Sequence, residues 1–153
     1  MSKRFIEYNN NPKHRNTGDC VTRALAKVFR QTWTDTYMEL ARNACETGYL
    51  STNMLNYDNV LVAHGYVSIP VNGTRLTVNQ VTAIQDDFLY LSPRWAIQVE
   101  KHLTAAVDGK IYDTWDCSRR QVKRIYVPAE QKNIVKHEII ALCKKKGYNI
   151  TWN

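Results

Sequence analysis

The stretch NTGDC at residues 16–20 sets a thiol directly before VTRALAKVF, and HLTAAVDGKIYDTWD at residues 102–116 carries an imidazole and carboxylates. A cysteine, a histidine and an acid are the groups of nucleophilic acyl transfer. The thiolate attacks, the imidazole moves the proton, and the carboxylate fixes the imidazole's tautomer and charge. Cys20 and His102 lie far apart in the chain, so that chemistry depends on the elements that carry them.

From Cys20 to Phe29 the apolar positions Val21, Ala24, Leu25, Val28 and Phe29 follow helical spacing, which predicts a helix buried on one face and starting close to Cys20. A thiol in the first turn of a helix feels unpaired backbone N–H groups, which favour the thiolate. The same place suits a small packing residue, because free cysteine is commonly just a buried hydrophobe. Position alone favours packing.

The second stretch supplies the partner. Asp108-Gly109 between two apolar runs predicts a hairpin with a two-residue turn. That turn pairs Val107 with Lys110, Ala105 with Tyr112, Thr104 with Asp113 and His102 with Trp115. Alternation then puts His102, Thr104 and Asp113 on one face. Trp115 shares that face and can shield it from water, whereas Asp116 lies on the other. A longer turn or a bulge would exchange the two acids, so Asp113 is the expected partner of His102 only with the short turn.

Around these two pieces the chain reads as helices first and an antiparallel sheet second, an α+β pattern with N-terminal helices packed on the sheet and a C-terminal helix. A second helix is expected after Thr34 as cap, with Trp33 packing back onto Met38, and a stop near Gly48. TNMLNYDNVLVAHG predicts a third helix ending at Gly65, and Val78 to Ile84 a short fourth. Strands are expected over 95–99, 102–107, 110–115 and 122–127. AEQKNIVKHEIIALCKKKG reads as a last helix, with three lysines at its carbonyl end before Gly147. No repeat or linker divides the chain, so residues 1–153 are expected to form a single domain.

Composition fits this reading: 153 residues with 44% hydrophobic and 23% charged describe an ordinary globular chain. No apolar run approaches the roughly 18–20 residues of a membrane span, and the basic start lacks the apolar segment of a signal peptide, so a cytoplasmic protein with no membrane partner is expected. The four cysteines read as free thiols, with Cys45 and Cys143 on core faces and Cys117 exposed. CxxC, HxxxH and HExxH are all absent, so neither metal nor cofactor is expected. The net charge of +7 sits partly in KHR, RRQVKR and KKK runs that read as solvated faces, which leaves nucleic acid a disfavoured partner.

GDCVTRALA together with HLTAAVDGKIYDTWD resembles the papain-like cysteine peptidase superfamily, above all its C39-like group, and small proteins of phages and bacteria. The resemblance spans about two thirds of the chain, from Thr17 to Trp115, and is specific at its two ends. It implies a papain-like fold and thiol hydrolysis of a peptide or protein substrate, with Cys20 as nucleophile, His102 as general base and Asp113 as orienting carboxylate. It departs at one position: C39-like enzymes carry a glutamine six residues before the cysteine to complete the oxyanion hole, and His14 stands there. Asn16, the nearest amide, is the expected substitute. The alternative reading is a catalytically silent papain-like protein that holds a host protein or nucleic acid on a basic, aromatic surface.

Overall fold

The computed structural model describes residues 1–150. Its elements in chain order are β1 (Phe5–Glu7), α1 (Cys20–Phe29), α2 (Trp33–Thr47), α3 (Met54–Ala63), β2 (Tyr66–Pro70), α4 (Val78–Ile84), β3 (Arg94–Val99), β4 (His102–Val107), β5 (Lys110–Asp113), β6 (Arg124–Pro128) and α5 (Lys132–Lys146). The fold is mixed α+β, with helices packed against a six-stranded sheet of order β1-β5-β4-β3-β6-β2.

Helix α1 begins at Cys20, as its apolar stripe predicts, and closes at Arg30 in the left-handed region with φ 59°. It is buried on more than one face, since Thr22, Arg23 and Ala26 are covered along with the stripe. Strands β3, β4 and β5 lie against one side of it and α2 against another. Helix α2 is capped by Thr32, not Thr34: the Thr32 side chain accepts the Asp35 N–H at 3.0 Å. Trp33 stacks on Tyr37, with ring centroids 5.1 Å apart, and leaves Met38 exposed. Helix α4 takes the expected bounds through a capping box, in which Thr77 and Gln80 satisfy each other's backbone N–H groups.

The hairpin carries the site, and its turn is the short one. Asp108 and Gly109 both have positive φ, 49° and 81°, and Val107 pairs with Lys110, Ala106 with Ile111 and Ala105 with Tyr112. A Cβ added at Gly109 would stand 2.5 Å from Oδ1 of Asp86, whose carboxylate pairs with Arg4. Gly109→Ala is therefore expected to lower stability by about 1–3 kcal/mol, from positive-φ strain and a displaced ion pair together. An unchanged melting temperature would show that the loop absorbs both.

Two strands lie outside the expected set. β1 adds to β5 in parallel, Phe5 to Ile111 and Glu7 to Asp113, so the sheet is not purely antiparallel; β2 adds to β6 at the other edge. The strand expected over 122–127 runs from Arg124 to Pro128, and the one expected over 110–115 ends at Asp113. On one face of the sheet Ala96, Leu103, Ala105 and Tyr126 pack with α1 and α3 through Leu25, Tyr57 and Leu61. On the other, Trp95, Ile97 and Ile111 pack with α4 and α5 through Val78, Val81, Val135 and Ile139. Helix α5 ends at Gly147 with φ 71°, three lysines in its last turn, and Tyr148 N–H donating to Cys143 O at 2.8 Å.

Candidate active site

Three elements end at one edge of this layered structure. His102 opens β4, Asp113 closes β5, and Cys20 opens α1. His102 Nε2 and Asp113 Oδ2 are 2.6 Å apart, with both side chains nearly out of contact with solvent. The short turn has therefore put the two on one face. Asp116 points away, accepting the Ser2 N–H at 2.8 Å and the Ser118 N–H at 3.0 Å. The Trp115 ring covers His102 at a centroid distance of 4.8 Å and keeps one side open to water.

Cys117 is the correction here. It is wholly buried, not exposed, and its Sγ lies 3.6 Å from Asp113 Oδ2. The chain after β5 folds inward and carries this thiol under the His–Asp pair. Cys45, expected in the core, is exposed, while Cys143 is buried as expected. His102, Asp113 and Cys117 together form a side-chain cluster of the general thiol-hydrolase type, with donor atoms within 4.8 Å of one another. Such a donor set could also hold a metal ion. In the arrangement present Nε2 and Oδ2 lie at hydrogen-bond distance from each other.

Asp113 has a second partner. Arg23, buried on α1, forms an ion pair with Asp19 and reaches Asp113 Oδ1 at 3.5 Å and the Thr114 hydroxyl at 3.4 Å. Asp19 also accepts from Asn11 Nδ2 at 3.1 Å and Trp33 Nε1 at 2.9 Å. It is the N-cap residue of α1 by position, yet its side chain caps nothing, because these three partners hold it. The positive end of α1 at Cys20 is thus left without its usual side-chain acceptor.

Electrostatics follow from this packing. Burial alone would raise the Cys20 thiol pKa. Hydrogen bonding from His102 and the Leu103 backbone, with the charges of His102 and Arg23, outweighs that and holds the thiol below its ordinary 9.0. Burial would lower His102, but Asp113, then Cys117 and Cys20, raise it to about 11. Burial would raise Asp113, and the contact with His102 instead holds it below the usual carboxylate value.

The sign of the pH dependence is fixed by these directions. The raised His102 contributes stability that is fully present below its ordinary 6.5 and is lost as pH climbs through about 11. The lowered Asp113 contributes stability present above 3.8 and lost as pH falls through its folded value. His102→Gln removes the alkaline arm. Its melting temperature should fall less steeply than the wild type's between about pH 7 and pH 11. Parallel curves would show that His102 carries no raised pKa.

Cys20 and His102 line one cavity of about 390 Å³, with Tyr57, Gln98, Lys101 and Leu103 among its other walls. Asn16 is exposed and is not among the lining residues. A larger groove of about 750 Å³, beside Ser2, Lys3, Lys110 and Arg119, carries neither a thiol nor an imidazole. Sequence patterning does not single out Arg23, Tyr57 or Gln98, and it places Cys117 at the surface. Only the Asp19/Arg23 spacing of four on a helix carried a local signal, that of an ion pair. The burial of Cys117 depends on a loop path that no local pattern encodes.

Comparison of the chain with family models, curated proteins and solved structures finds no match. Among the described residues no helix is long and apolar enough to cross a membrane.

Proposed function

We propose that the protein is a papain-like thiol hydrolase of the C39-like kind, cleaving a peptide, isopeptide or other amide. Cys20 is the nucleophile, His102 the acid–base and Asp113 the orienting carboxylate. The observation that supports this most is a single cavity holding both Cys20, at the positive end of a helix, and His102, whose Nε2 is committed to Asp113. That commitment leaves Nδ1 as the ring nitrogen for the thiol. Cys117 is unsuited to the role because it is sealed from solvent.

The Cys20 thiolate attacks the carbonyl carbon, a C–S bond forms, and the carbonyl electron pair moves to oxygen. The tetrahedral oxyanion faces the Cys20 backbone N–H. As the oxyanion collapses the C–N bond breaks, and the imidazolium gives its proton to the departing amine. Water then adds to the thioester with His102 as base, the C–S bond breaks, and the acid leaves with the thiolate restored. Buried Asp113 keeps the imidazolium charged and oriented throughout.

Alkylation by iodoacetamide at about pH 6 tests this directly, because only a low-pKa thiol reacts fast there. Cys20 should be modified at least about tenfold faster than Cys45, which is exposed and serves as the internal reference. Equal rates would favour the silent binding protein instead.

A further inference from the structure

An acyl transfer site is helped by two donors at the developing oxyanion; Cys20 lines the cavity and opens α1 with its backbone N–H, while Asn16 does not line it. We propose that the Gln98 side-chain amide is the second donor, held in place by the Tyr57 hydroxyl. This rests on the thiol hydrolase reading above.

Three relations place Gln98 there. It pairs with Leu103 across β3 and β4, and the Leu103 backbone acts on the Cys20 sulfur, so Gln98 lies one strand from the nucleophile. Strand alternation turns it to the face shared with Leu103, the face against α1. It lines the cavity with Cys20 and His102. Tyr57, from α3, lines the same cavity, where its hydroxyl feels the Cys20 charge and the Gln98 side chain. Burial pushes the Tyr57 hydroxyl up to about 12, so it stays a neutral hydroxyl wherever a thiolate–imidazolium pair exists. A primary amide has two N–H donors and one carbonyl acceptor, so one contact with Tyr57 leaves at least one N–H for the cavity. Lys101 also lines the cavity, but it is an exposed, flexible cation, unfit for a fixed donor position.

Two reactions of the same thiol separate this role from a structural one. Iodoacetamide alkylates Cys20 by displacement of iodide and develops no oxyanion. p-Nitrophenyl acetate acylates it: the thiolate adds to the ester carbonyl, an oxyanion forms, and p-nitrophenolate leaves. Gln98→Ala should cut the acylation rate about 10²- to 10³-fold and leave alkylation within about twofold of wild type. The unchanged alkylation also reports an intact fold. Tyr57→Phe should cost acylation about tenfold by loosening the amide.

Acylation that survives in Gln98→Ala, or that falls in step with alkylation, overturns the assignment while a fast wild-type Cys20 keeps the hydrolase reading intact. A wild-type Cys20 that is neither acylated nor alkylated faster than Cys45 overturns both.

Discussion

Asp113→Asn is expected to fold as the wild type does and to lose turnover by about 10²- to 10⁴-fold. The amide can still accept a hydrogen bond from His102 Nε2, so the ring stays in place. What disappears is the negative charge that keeps the imidazolium charged beside the thiolate, and the raised His102 pKa falls with it. The alkaline limb of the pH–rate profile should therefore move to lower pH, a shift that a merely structural loss would not produce. Asp116→Asn is the control, because Asp116 holds only Ser2 and Ser118. Loss of turnover in Asp116→Asn with survival in Asp113→Asn would reverse the assignment.

Arg23→Met should be the most destabilising of these substitutions, by about 3–5 kcal/mol, read as a shift in the denaturation midpoint. Methionine fills much of the volume but leaves buried Asp19 with no cation and Asp113 with His102 alone. The loss is mostly that of uncompensated charge, so adding Asp19→Asn to Arg23→Met should recover part of it. Strictly additive effects in that double-mutant cycle would mean that the two residues are not energetically coupled.

Those two residues also mark the limit of what the sequence declared. The Cys20 helix start, the helix from Val78 to Ile84 and the Asp108-Gly109 turn rest on local spacing and turn chemistry, and local rules suffice for them. The choice of Asp113 over Asp116 as the partner of His102 followed from strand parity alone. β1 and β2 did not show themselves, because three- and five-residue edge strands gain their order from partners distant in sequence. Thr32 displaced Thr34 as the α2 cap because Trp33 is drawn inward by Asp19, which pulls the helix start forward. The burial of Cys117 and the place of Gln98 became visible only once two faces of a sheet and a loop path were fixed.

The pairing of β1 with β5 joins residues more than a hundred positions apart, Glu7 to Asp113. Closing so long a loop is entropically expensive, and contacts of that kind tend to form late in folding. During synthesis the strand that borders the His102 partner has nothing to pair with until the ribosome has delivered β5. Helix α1, whose hydrogen bonds are local, can form well before that. The nascent chain would thus display its thiol at a helix start long before the carboxylate reaches the imidazole, and the His102–Asp113 pair would be completed only as the finished sheet closes.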